Sequence, residues 1–183
     1  MKIKTKDMIL TALFAALTAI GALIRIPVGP VPITLQDLFT ALSGIILGPF
    51  LGSLSQLLYV LLGLFGVPIF ASGNVGISAI LSPSFGYLIG FIISPIIIGK
   101  IITNKINPSF LKILIATAVG LLAIYLIGIP YMYIILHNVQ HINITLIKAL
   151  QIGFLVFLPG DIIKCIAATA LGFKLIPILK RYR

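Results

Sequence analysis

The chain has 183 residues, of which 60% are apolar and only 9% charged, against about 25% charged in an ordinary soluble domain. So few charged side chains could not cover the surface of a water-soluble globule of this size, so the solvent implied is lipid. The net charge of +10 comes from 13 Lys and Arg against three acids, but these cations flank apolar runs rather than cluster on a polar face, which excludes nucleic acid as the partner and fits an anionic membrane surface.

In chain order, Lys2, Lys4 and Lys6 precede an uncharged run that begins at Met8. Further apolar segments follow it, so the run reads as a first transmembrane helix near 8–25 and not as a cleaved leader. No charged residue occurs from Leu38 to Gly99. That stretch is too long for two crossings, and Gly48, Pro49, Gly66, Pro68, Gly73 and Gly76 divide it into helices near 35–47, 50–65 and 84–102. Thr34 with Asp37 three residues on resembles a capping box at the start of the second helix. A fifth helix is expected near 111–136 and a sixth near 159–174, opened by Pro159 in its first turn. Residues 145–158, which carry Lys148 and Gln151, read as an interfacial or extended approach to it. The expected fold is an all-α membrane protein, one domain of six transmembrane helices in a single bundle.

Six crossings put both termini on one side. With both cytoplasmic, the inner segments hold Lys2, Lys4, Lys6, Lys100, Lys105, Lys112, Lys174, Lys180, Arg181 and Arg183, and the outer ones only Arg25 and Lys148. The loops at 26–34, 66–83 and 137–158 are then external, where a ligand from outside would be met.

An ionised group inside a span costs about 2.5–3.5 kcal/mol on insertion scales, so it persists when paired or functional. Asp161 and Lys164 sit three apart on one face of the last helix. Such a pair is neutral when empty and offers an acceptor and a donor to an amide-like or ureido ligand, although a structural salt bridge would have the same spacing. Asn74, in the glycine-bearing loop 71–76, could add an amide to the site or simply shape a turn. Gln56 and Tyr87 could line a pocket or hydrogen-bond between helices. On the first helix, Ala12 with Ala16 and Ala15 with Ala19 form two small-residue stripes for close helix approach, either within the bundle or to another subunit; the Gly86, Gly90, Ser94 stripe reads as internal packing. Catalytic machinery is not expected: there is no phosphate-binding GxxxxGK[ST] loop and no GxSxG. His137 and His141 are spaced like a metal pair but have no general base between them and read as loop residues, and the lone Cys165 reads as a buried apolar residue. No metal or cofactor is implied.

Four groups of residues in order carry a resemblance over nearly the whole chain. They are Val31 to Gln36 (VPITLQ); the run from Leu47, Gly48 and Pro49 through Gln56 to Tyr59; Gly66 to Phe70 (GVPIF) with the loop leading to Pro83, Gly86 and Tyr87; and Pro159, Gly160, Asp161 with Lys164. In these the sequence resembles the BioY family, the biotin-specific substrate-binding components of energy-coupling-factor (ECF) transporters. The resemblance implies a protein of the bacterial cytoplasmic membrane that captures biotin from outside, with Asp161, Lys164 and Asn74 in its site. It also implies that the alanine stripe of the first helix docks on a transmembrane coupling subunit (EcfT-type), which recruits two ABC ATPase subunits. The chain departs from the family pattern at Asp37, where a neutral residue is more usual, and at Asn74 and Val75, where the loop is often richer in glycine. Rival readings are the same transporter class with thiamine or riboflavin, disfavoured by the absence of Trp; a structural membrane subunit; and an intramembrane enzyme using Asp161, which lacks a second catalytic group.

Overall fold

The computed structural model describes residues 4–103 and 108–181. Lys2, Lys105 and Arg183 of the expected inner basic set lie outside the described residues. Helix α1 (Thr5–Leu23) is followed by two two-residue strands, β1 (Arg25–Ile26) and β2 (Ile33–Thr34), paired antiparallel with Arg25 opposite Thr34. Then come α2 (Gln36–Leu64), a 3-10 turn (Gly76–Leu81), α3 (Phe85–Thr103) and α4 (Phe110–Ile134), which runs into a π-helical turn (Ile135–Val139). A short α5 (Leu146–Leu150) continues into a second π turn (Gln151–Leu155), and α6 (Leu158–Arg181) ends the chain's described part.

Lipid selects these elements, because a backbone in hydrocarbon must satisfy its own hydrogen bonds. Among the described residues four helices are long and apolar enough to cross a membrane: Thr5–Leu23, Gln36–Leu64, Phe85–Ile102 and Phe110–Val139; the pair Leu146–Leu155 and Leu158–Ile178, bent by 41°, makes a fifth if taken as one crossing. Many large apolar side chains point outward, Leu126 for instance with 76% of its surface exposed, as expected where lipid covers the bundle.

The expected division near residue 48 is present. Gly48 (φ 83°, ψ −173°) breaks α2 into two helical halves. The positive φ is a glycine conformation, and Pro49 supplies no N–H and disfavours the helical conformation in its predecessor. The break is seated against α3 at Gly99, where a Cβ would lie 2.3 Å from the Pro49 nitrogen. Two expectations are corrected. Of the two readings of residues 145–158, interfacial or extended, the extended one fails: residues 146–155 are helical, because Thr145 caps a turn by accepting from the Lys148 backbone N–H at 3.2 Å and the π turn continues it. The capping box at α2 is absent: Leu35 is the cap residue without side-chain help, and Asp37 turns elsewhere, as described below.

The glycine and serine stripe of α3 packs internally as expected. A Cβ at Gly90 would lie 2.7 Å from the Ile124 Cα of α4, and one at Gly86 2.3 Å from Tyr131 Cβ; Ser94 is buried. Because the nearest atom at Gly90 is backbone, Gly90→Ala must push the two helices apart. A loss of roughly 1–3 kcal/mol is expected, read as a lowered thermal midpoint in detergent; an unchanged midpoint would mean that the α3–α4 contact is loose.

The alanine stripes of α1 separate. Ala15 is buried and Ala19 packs on the core, so that pair binds α1 to its own bundle, whereas Ala12 and Ala16 are exposed. Of the four alanines that the resemblance assigns to a coupling subunit, Ala15 is thus turned into the bundle: at about 100° per residue the stripes span roughly 100° of the helix, with Ala15 and Ala16 at opposite edges.

Candidate functional site

The two ends of the apolar core differ. One cluster packs Phe14, Leu42, Ile45, Ile98 and Ile113; the other is richer in rings, with Tyr59, Phe70, Tyr87, Phe91, Tyr125 and Phe157. The second surrounds the buried charges.

The first turn of α2 places Asp37, and the start of α6 places Asp161 and Lys164. The β1–β2 hairpin brings the Thr34 carbonyl beside them. Lys164 Nζ lies 2.8 Å from Asp37 Oδ1 and 2.6 Å from Asp161 Oδ1 and donates to Thr34 O at 3.0 Å. An ammonium has three donors, and all three are engaged. From α4, the Tyr125 hydroxyl donates to Asp161 Oδ2. The cluster is therefore a triad of two carboxylates and one ammonium with a formal charge of −1, and Asp161 and Lys164 are only 4% and 8% exposed. Burying such ions costs several kcal/mol each, and only complete pairing and hydrogen bonding offset it; here four elements supply the partners.

Above the triad opens a cavity of about 570 Å³, counting the space continuous with solvent at its mouth. Asp37, Asp161 and Lys164 line it together with the rings of Phe70, Tyr87, Phe91, Tyr125 and Phe157, and Pro32, Ala71, Ser72 and Ser84 contribute elsewhere on its wall. A narrower crevice also touches the triad, lined further by Ser94, Thr117 and Cys165.

The walls are fastened by hydroxyl and amide bonds. Gln36 Nε2 donates to Tyr59 Oη at 2.8 Å, and Tyr59 donates in turn to Ile69 O at 3.0 Å, tying α2 to the 66–82 loop. Tyr87 donates to Gly153 O at 2.9 Å, tying α3 to the second π turn. Tyr87 and Tyr125 meet edge to face, ring centroids 6.2 Å apart, a favoured aromatic geometry. The Arg25 guanidinium donates to the Ala71 carbonyl and so joins the hairpin to the same loop.

Of the residues expected at the site, Asp161, Lys164 and Tyr87 line the cavity. Gln56 does not. It is fully buried between α1 and both halves of α2, where its Oε1 accepts from Thr40 Oγ1 at 3.0 Å and its Nε2 donates to Thr18 Oγ1 at 3.1 Å and Ser55 Oγ at 3.2 Å. That network leaves its amide satisfied by protein, as buried polar groups require. Asn74 is exposed and absent from the cavity wall, in a loop turned by the positive-φ glycines Gly73 and Gly76 on either side of it. Asp37, Thr34 and Tyr125 also line the cavity and bond to the Asp161, Lys164 pair, and sequence reasoning did not place them there. The signal for Asp37 was its status as one of three acids in the chain; Tyr125, inside an apolar run, gave none.

Residues 1–181 match the BioY family. The chain is 37% identical over 179 residues to the "Probable biotin transporter BioY" of Lysinibacillus sphaericus, covering 98% of this chain and 91% of that protein. It is 40% identical over 172 residues to the protein of the same name from Pyrococcus horikoshii, covering 94% and 97%, and 36% identical over 170 residues to the "Biotin transporter BioY" of Thermotoga maritima, covering 93% and 95%. Among solved structures, it superposes on the S-component for biotin from an ECF-type ABC transporter, a crystal structure at 2.1 Å, with a TM-score of 0.81 and 32% identity over 93% of this chain and 90% of that one.

Proposed function

The chain belongs to the BioY family, and from that premise we propose how its cavity serves biotin uptake. The protein is a multi-pass integral protein of the cytoplasmic membrane and acts as the biotin-binding component of an ECF-type transporter. Our reading places biotin in the 570 Å³ cavity, and the observation that carries it is the ion triad at the cavity's lining. A ureido ring has two N–H donors and one carbonyl acceptor, which suits a floor of ionised hydrogen-bonding groups. The thiophane ring and aliphatic chain are apolar and suit Phe70, Phe91, Ile124 and Phe157. Asp161 and Lys164 are the central site residues, with Tyr87 as wall; Asn74, at the loop crest, would reach ligand only if that loop moved inward.

Both halves of α2 count as crossings in this reading, giving six passes with both termini cytoplasmic. Each half is shorter than the roughly 20 residues a level crossing needs, but the charge distribution, ten cations inside against two outside, supports an even number. The exposed Ala12 and Ala16 face is assigned to a transmembrane coupling subunit that carries two ABC ATPases; the chain itself supplies capture and no chemistry, and needs no cofactor or metal.

Equilibrium binding to the purified protein in detergent tests the ligand. Biotin is expected to bind with saturation, while thiamine and riboflavin at the same concentrations do not compete. Competition by either would move the assignment to another vitamin, and no saturable binding of any of the three would remove it.

A further inference from the structure

We infer that Asp37 is a specificity-determining residue whose second carboxylate oxygen reads one ureido N–H of the ligand. The inference rests on the biotin reading above and concerns a residue outside the Asp161, Lys164 pair.

Hydrogen-bond capacity decides which group of the triad is open to a ligand. Lys164 has its three donors directed at Asp37, Asp161 and Thr34. To donate to a ligand it must first release one of them. Asp161 has a donor on each oxygen, Lys164 on Oδ1 and Tyr125 on Oδ2. Asp37 differs. Its Oδ1 accepts from Lys164 at 2.8 Å, and its Oδ2 has no donor among the described residues. No fully buried side-chain oxygen or nitrogen among those residues lacks a partner, so Oδ2 retains accessible surface. Asp37 also lines the cavity, its side chain 13% exposed. An ionised oxygen with open lone pairs accepts a charge-assisted hydrogen bond without breaking another.

The consequence is directional. The triad presents acceptors to the cavity, so it takes the N–H edge of a cyclic urea. The carboxylate of the same ligand, an acceptor bearing negative charge, is repelled by a cluster of net charge −1 and lies away from it. A ligand with oxygen in place of that N–H would set two acceptors against each other.

Asp37→Asn makes this testable, because the side chain keeps its shape. Its Oδ1 can stay on Lys164, while Nδ2 replaces Oδ2 and turns the open acceptor into a donor. The probes are biotin and its two cyclic carbamate analogues, in each of which one ureido N–H is replaced by a ring oxygen. Binding is measured on the full chain in detergent. The unmodified protein is expected to bind one of the carbamates roughly 10- to 100-fold more weakly than biotin, the range of a hydrogen bond to a charged group. Asp37→Asn is expected to bind biotin weakly by a similar factor and to narrow its preference over that carbamate to less than about threefold, or reverse it.

Loss of the same factor for all three ligands would overturn the inference, leaving Asp37 as a post that positions Lys164. Unchanged biotin affinity in Asp37→Asn would also overturn it. In either case, saturable biotin binding by the unmodified protein would keep the biotin reading intact; if that binding is missing, both fall together. Thermal unfolding of the variant checks that it is folded, and Asp37→Ser, which retains a small hydrogen-bonding group but no carboxylate, must show the same lost preference if Asn fails to fold.

Discussion

Lys164→Ala is expected to abolish measurable biotin binding, with a loss of at least about 100-fold. Lys164 is the ammonium on which Asp37, Asp161 and Thr34 O converge, all within 3.0 Å of Nζ. Removing it leaves two carboxylates facing each other in a poorly hydrated pocket, and breaking a buried ion pair costs about 3–5 kcal/mol, where each 1.4 kcal/mol is about tenfold in affinity. Part of that cost falls on the fold and part on the site, and the two are separable. The neutral triple variant Asp37→Asn, Asp161→Asn, Lys164→Met keeps the volume and removes every buried charge. It is expected to recover thermal stability without recovering biotin binding. Lys164→Arg keeps the charge, but a planar guanidinium cannot direct three donors from one nitrogen at three converging acceptors, so binding is expected to remain weak. A folded Lys164→Ala protein that bound biotin at full affinity would show that the triad only neutralises itself.

The helices were legible because lipid imposes a coarse rule: long uncharged runs, cut where glycine and proline cannot continue them. The window 84–102 meets α3 at Phe85–Thr103, and the break expected beside Pro49 is the non-helical Gly48. The last helix runs further than the window 159–174, to Arg181, through Lys174 and Pro177; a terminal cation marks where hydrocarbon ends and not where a helix must. At the site, Asp161 and Lys164 could be paired from sequence because they are three residues apart. Asp37 reaches Lys164 from 127 residues away, and local reasoning had already given it a capping role that the backbone does without. Tyr125 lies beyond such reasoning for the same cause: only the approach of α4 to α6 makes its hydroxyl a partner of Asp161. Gln56 shows the converse, since a glutamine on an apolar helix suggests a ligand until Thr18 and Thr40 are seen to occupy it.

Ala16→Trp is expected to leave biotin binding unchanged and to abolish co-purification with the coupling subunit. Ala16 is exposed on α1, one turn from the equally exposed Ala12, and the neighbouring Ile9, Leu13 and Ile20 expose 63%, 49% and 51% of their surface. In lipid, helices associate by close backbone approach over small residues, with no hydrophobic gain from leaving lipid. An indole on the stripe holds a partner helix several ångströms off and forfeits the contacts that association depends on. The cavity is lined from the β1–β2 hairpin, α2, α3, α4 and α6 and their loops and not from the α1 stripe, so the pocket should not register the change. Ala15→Trp supplies the contrast: Ala15 is 3% exposed inside the bundle, and an indole there must displace core side chains, so that variant is expected to lose stability and binding together. If Ala16→Trp still assembled with its coupling subunit, the exposed face of α1 would be a lipid surface and the docking site would lie on another helix.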